Sequence, residues 1–90
     1  MTKADIVKEI ADRTGIEKQV VLQVVEGMME SIRNSMIHGE GVFLRGFGSF
    51  IIKRRARKTA RNISRNTTIV IPAHNVPAFR PSKSFQLKIK

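Results

Sequence analysis

The sequence predicts an α+β domain in which two helices precede a short antiparallel sheet and a long two-stranded ribbon. Three observations lead there. Apolar residues recur at helical spacing as far as Ile37 and at strand spacing from Val42 onward, with Gly39-Glu40-Gly41 at the change. All seven acids (Asp5, Glu9, Asp12, Glu17, Glu26, Glu30 and Glu40) fall in the first 40 residues. Residues 41–90 hold twelve basic residues and no acid, and seven of those bases crowd into residues 53–66.

Residues 2–13 read as a helix. Thr2 and Asp5 have capping-box spacing, so hydroxyl and carboxylate can each satisfy a free amide of the first turn. Ile6, Val7, Ile10 and Ala11 share one face. Gly15 suits the left-handed position just past the end. A second helix covers about residues 18–38 and stops at Gly39. Its start is less well signalled, because Glu17 is not a favoured N-cap. Its apolar set, Val20, Val21, Val24, Val25, Met28, Met29, Ile32, Met36 and Ile37, is wider than one core-facing stripe needs. That helix is expected to be buried on two sides, with a second subunit as the source of the second side.

Residues 42–45 read as a short strand and residues 46–48 as a tight turn. A long second strand begins at Ser49, with Phe50 and Ile52 on one face. Continued alternation puts Lys53, Arg55, Arg57 and Arg61 on one face and Arg54 and Lys58 on the other, unless a bulge shifts the register. Apolar content ends at Ile52, so no core lies beneath Lys53 onward and the segment must project. Residues 67–76 return as a strand, with Ile69 and Ile71 alternating. Pro72 cannot donate to a ladder and marks an edge or a bend. The expected ribbon pairs residues 53–61 with 68–76 around a tip at residues 62–67. Such a ribbon is marginal in water, so mobility is expected until it meets its ligand. The end reads two ways. Ser82 after Pro81 is a fair helix N-cap, whereas Phe85, Leu87 and Ile89 alternate as in a strand.

A chain of 90 residues buries only ~60–65% of the surface its unfolded form exposes. It has no cysteine, so neither a disulfide nor a thiolate metal site can supplement the core. Oligomerisation is the remaining route to more burial. His38 and His74 lie far apart without ligand spacing. Asp5, Glu9 and Asp12 follow helical spacing and read as solvated. No nucleophile–base pair or metal-ligand set emerges, so neither an enzyme nor a cofactor is expected. Gly46-Phe47-Gly48 lacks the Lys-Ser/Thr of a phosphate loop and joins two strands, which fits a structural turn with Phe47 and Phe50 in the core. Met28, Met29 and Met36 read as core and dimer interface rather than a cofactor box. No apolar run approaches the ~18–20 residues needed to cross a bilayer. The first ten residues alternate charged and apolar side chains, unlike a secretory signal. A soluble, intracellular protein is expected.

A charge run is usually just a solvated face. Here no acid interleaves, the segment projects, and mutual repulsion among its cations is relieved by a polyanion. Lys53, Arg54, Arg55, Arg57, Lys58, Arg61, Asn62 and Arg65 are therefore the candidate nucleic-acid contacts. His74 reads as an arm surface residue with access to phosphate. Ile63 stands bare in the middle of this run. The tip has no core for it to pack into, so it either lies on its own ribbon or serves as an exposed wedge.

Three stretches carry a family resemblance: Gly46-Phe47-Gly48-Ser49-Phe50, the arm ending Ala60-Arg61-Asn62, and Ile71-Pro72-Ala73-His74-Asn75-Val76-Pro77-Ala78-Phe79-Arg80-Pro81-Ser82-Lys83. They resemble the HU and integration host factor family of bacterial DNA-bending proteins across essentially the whole chain. Those proteins are themselves standard examples of minor-groove architectural proteins that kink DNA with apolar wedges. The resemblance implies an intertwined dimer with a helical body, two β-ribbon arms that reach around double-stranded DNA, and a short C-terminal helix. The family's arm tip commonly reads Arg-Asn-Pro, with the proline inserted between base pairs. This tip reads Arg61-Asn62-Ile63, which makes Ile63 the intercalating wedge. Isoleucine lacks proline's rigidity, and Ala60 stands where the family often has glycine. The resemblance also sets Lys3 and Lys83 on the DNA-facing flank of the body and Arg45 near the minor groove. The expected dimer core is Val21, Val25, Met28, Met29, Ile32, Met36, Phe47, Phe50 and Phe79.

The expected organisation is one domain. Residues 1–40 form the helical dimerisation half, 41–52 and 77–90 the body sheet and C-terminal segment, and 53–76 the DNA-binding arm. The expected function is architectural, largely sequence-independent binding and bending of DNA, with nicked or already bent DNA favoured and a cytoplasmic, nucleoid-associated location. The partner chain is a second copy or a paralogue. One rival is a sequence-selective subunit like integration host factor, kept alive by Arg45. Another is a basic RNA-binding protein. Residues 51–78 contain no aromatic to stack on an unpaired base, which argues against single-strand recognition.

Overall fold

A computed structural model describes residues 1–62, 65 and 67–89. The elements run α1 (Lys3–Thr14), α2 (Lys18–Ile37), β1 (Val42–Leu44), β2 (Gly48–Arg55), β3 (Lys58–Asn62), β4 (Thr67–Ile71), β5 (His74–Pro81) and α3 (Lys83–Lys88). The chain divides into two compact units, Met1–Asn34 and Ser35–Lys90.

In the first unit the capping box forms. The Thr2 amide donates to Asp5 Oδ2 at 2.8 Å, and the Asp5 amide donates to Thr2 Oγ1 at 3.3 Å. Two of the free donors of the first turn are thereby satisfied. Gly15 closes α1 with φ 75°, and its amide donates to the Ala11 carbonyl at 2.9 Å. Val7 and Val21, one from each helix, are the buried apolar side chains among the described residues. The two-sided burial expected of α2 is not met within one chain. Val24 is 65% exposed and Met28 49% exposed.

In the second unit β1, β2 and β5 form an antiparallel sheet in that order, and β3 pairs with β4 as a separate ribbon. The long strands expected from the sequence are thus interrupted at Ala56-Arg57 and at Pro72-Ala73. Pro72 has no amide to give to a ladder, which accounts for the break. Arg55 pairs with His74 and Lys58 with Ile71, so two residues intervene on each side. No residue is inserted on one strand alone, and the two legs stay in step with each other across the gap.

β5 continues to Pro81, beyond the strand end expected near Val76. It is an edge strand, paired only with β2 in its sheet. Pro77 and Pro81 are four residues apart and share one orientation, in which the missing amides can face away from β2. The last segment is the helix α3 rather than a strand. Ser82 Oγ accepts the Phe85 amide at 3.2 Å and so caps it. Of the alternating trio only Phe85 is partly buried, while Leu87 is 78% exposed.

The turn between β1 and β2 depends on two glycines. Gly46 holds φ 81°, a left-handed conformation costly for other residues. A Cβ on Gly48 would lie 2.6 Å from both the Arg80 carbonyl oxygen and Phe79 Cζ. That close approach lets four aromatic rings gather. Phe79 lies 5.0 Å from Phe50 and 5.2 Å from Phe47, and Phe47 lies 5.4 Å from Phe85, centroid to centroid. All are tilted pairs, the arrangement the ring quadrupoles favour.

Candidate nucleic-acid interface

The cationic side chains sit where the apolar pattern runs out. Lys53, Arg54 and Arg55 end β2, opposite Val76, Asn75 and His74. Lys58 and Arg61 stand on β3, opposite Ile71 and Thr68. Arg57 lies in the break. All of these side chains are exposed, as is Arg65 beyond β3. Asn62 closes β3 by pairing with Thr67. Ile63, the expected wedge, lies outside the described residues.

Alternation sorts each pair of strands into two faces. Between β2 and β5, Lys53, Arg55 and His74 share one face, with His74 across from Arg55, and Arg54 lies on the other. Between β3 and β4, Lys58 shares a face with an apolar strip in which Ala60 faces Ile69 and Lys58 faces Ile71, and Arg61 shares the opposite face with Val70. Ala60 is partly buried there, while Ile69 and Ile71 remain exposed. Both faces of β3 and β4 therefore combine a cation with exposed apolar surface that can lie against sugar rings.

Two ion pairs join side chains of the helical unit. Lys8 Nζ meets Asp12 Oδ2 at 3.0 Å, and Lys3 Nζ meets Glu26 Oε1 at 2.9 Å. Lys3, expected on the DNA-facing flank, is therefore already engaged by a carboxylate. That pair is half exposed, so it is worth at most about 1 kcal/mol and a phosphate can compete for the lysine. The Asp5 carboxyl is held below its ordinary range by the Thr2 amide first and the Thr2 hydroxyl second.

Arg45 occupies the exposed turn before Gly46. It lines a surface cleft together with Ser49, Arg80 and Ser82. Arg80 pairs with Ser49 across β2 and β5, and the sequence pattern does not single it out. Its place beside Arg45 follows from the β5 pairing, which the flanking prolines obscure. Lys83 opens α3, where a cation opposes the helix dipole, so helix stability does not explain its placement. Of the expected dimer core, Val21 is buried and Val25, Ile32, Met36 and Phe50 are partly buried. Met28, Met29, Phe47 and Phe79 stay exposed in the single chain.

Among the described residues no helix is long and apolar enough to cross a membrane. None of their His, Asp and Glu side chains gather into a group that could hold a metal ion.

Comparison with known proteins places this geometry. DNA-binding protein HU of Staphylococcus aureus is 37% identical over 90 residues, covering all of both chains. That of Thermus thermophilus is 34% identical, covering all of this chain and 93% of the other. An Anabaena HU–DNA cocrystal structure superposes with a TM-score of 0.91 at 34% identity, covering 98% of this chain and 96% of that one. The family model described as bacterial DNA-binding protein matches residues 1–90. With sequence, strand order and ribbon in agreement from end to end, the chain belongs to the bacterial DNA-binding protein family, among the HU proteins.

Proposed function

We propose that this protein binds double-stranded DNA as a dimer, grips the minor groove with its ribbon and bends the duplex. Such binding organises DNA in the nucleoid, in the cytoplasm. The carrying observation is a paired ribbon with no acid in its sequence, whose outgoing leg carries the cations and whose two legs stay in step across the break. The HU relative from Anabaena, crystallised with DNA, supports the same reading.

Residues 1–40 act as the dimerisation half and residues 53–76 as the arm, with residues 41–52 and 77–90 completing the body. The apolar stripe of α2 left open in one chain supports a second subunit as its cover. Lys53, Arg54, Arg55, Arg57, Lys58, Arg61, Asn62 and Arg65 contact phosphates or the groove. Lys3, Arg45 and Lys83 contact DNA at the body, and Ile63 opens a base step at the arm tip. Kinking costs a few kcal/mol per step, offset by the extra surface wrapped. Sequence preference is weak, because the minor groove separates little beyond A·T from G·C.

The test is energy transfer between dyes at the two ends of a random-sequence duplex, titrated with protein and with Ile63→Ala. The ends approach with the native protein and approach less with the variant at equal saturation. A duplex that binds yet stays straight would overturn the bending mechanism. A large gain in affinity for selected sites over random duplexes would instead favour a sequence-selective subunit.

A further inference from the structure

We propose that His74 is a proton-linked contact for the DNA phosphate backbone, an imidazole that can hold a phosphate only in its protonated form. The inference deepens the DNA-binding reading and rests on it.

One hydrogen bond fixes the tautomer. His74 Nδ1 lies 2.9 Å from the Pro72 carbonyl oxygen. A carbonyl can only accept, so Nδ1 must carry the hydrogen. In the neutral ring that leaves Nε2 without one. A bare Nε2 is an acceptor, and a phosphate oxygen is also an acceptor, so the two cannot bond. Protonation puts a hydrogen on Nε2 without disturbing the bond to Pro72. The ring then offers a charged donor at its outer edge. The carbonyl that fixes the tautomer therefore turns the ring into a contact that works in one protonation state alone.

The position suits that role. His74 is exposed and begins β5, directly across from Arg55. Lys53 shares that face of β2, Arg57 lies in the break beside it, and Lys58 opens β3. Every titratable side chain on the strands beside the ring is thus a base. Residues 41–90 contain no carboxylate side chain to hold an imidazolium in the free ribbon. The anion that favours the proton arrives with the DNA, and an opposite charge at close range favours the charged form. Imidazole is the side chain whose charge changes most readily within the range a cell experiences. The resulting imidazolium–phosphate bond is charge-assisted and about twice as strong as a neutral one.

The experiment measures duplex affinity by fluorescence anisotropy from about pH 8 to about pH 5.5 for the native protein, His74→Gln and His74→Arg. Native affinity should rise by about tenfold over that range. His74→Gln should lose most of that rise, and His74→Arg should bind tightly and flatly throughout. His38, the other histidine, remains in all three proteins, so the difference isolates His74. Calorimetry in two buffers of different ionisation enthalpy gives a second readout. Native protein should take up protons on binding, and His74→Gln should take up fewer. Equal pH profiles and equal proton uptake in the native protein and His74→Gln would overturn the inference while leaving DNA binding intact. Absence of duplex binding at every pH would overturn the DNA reading and this inference with it.

Discussion

The Ser82 hydroxyl donates to the Gly46 carbonyl at 3.0 Å and so fastens the start of α3 to the turn before β2. The Ser82 amide reaches the same turn, donating to the Phe47 carbonyl at 2.9 Å. The hydroxyl oxygen also accepts the Phe85 amide. One small side chain therefore orients Phe85 towards Phe47 and Phe79.

Ser82→Ala should remove both the cap and the tether. A lost cap costs about 1 kcal/mol, and a lost hydrogen bond about 1 kcal/mol more. Ser82→Asp keeps the acceptor for the Phe85 amide but not the donor to Gly46, so it should fall between. Urea unfolding midpoints followed by circular dichroism would rank the three.

Gly48→Ala should destabilise, although alanine usually improves a strand position occupied by glycine. The new methyl would meet the Arg80 carbonyl, which is backbone and cannot swing aside. Overpacking of this kind costs about 1–3 kcal/mol, and each kcal/mol lowers the melting temperature by roughly 4–8 °C in a domain of this size. A thermal melt decides it.

Stability at the N-terminus should depend on pH through Asp5. Its carboxyl is lowered in the folded chain by the Thr2 amide and hydroxyl. The stabilisation is therefore fully present above the ordinary carboxylate range. It fades as pH falls through the lowered value, where the folded carboxylate finally takes its proton. The gap in urea midpoint between native protein and Asp5→Asn should be open near neutrality and close in acid. The site is fully exposed, so the gap is small.

DNA affinity should fall steeply with salt. If ~8 phosphates are contacted per dimer, log K against log salt has a slope near −7. Arg55→Ala and Lys58→Ala should each reduce that slope by about one for every phosphate left unneutralised, with little change between DNA sequences. Anisotropy titrations across a salt series measure it.

Much of this fold is legible in the sequence where local chemistry decides it. Thr2 and Asp5 announce the start of α1, and Gly15 its end. The change of period after Gly41 marks the switch to strands. The loss of apolar residues after Ile52 marks the ribbon. The features that escape are decided by pairing rather than by composition. Pro77 and Pro81 argue against a strand until β5 is known to be an edge. Phe85, Leu87 and Ile89 mimic a strand because α3 is too short to show a helical period. In the candidate site the cations are legible as a run. The pairing of Arg80 with Ser49 and the hold of Pro72 on His74 are not, since both are matters of register and backbone position.

The break in the ribbon takes two residues from each leg, and two is the period of a strand. This constrains how such an arm can change over generations. A single deletion in one leg would turn its distal side chains over while those of the other leg stayed put. Loss of one residue from both legs would keep them matched but rotate the whole outer arm, turning its two surfaces over. Only steps of two residues per leg leave both surfaces where they were. Descendants of this chain are thus free to vary arm reach in even, matched steps, while odd or one-sided changes would be selected against even if the arm still folded.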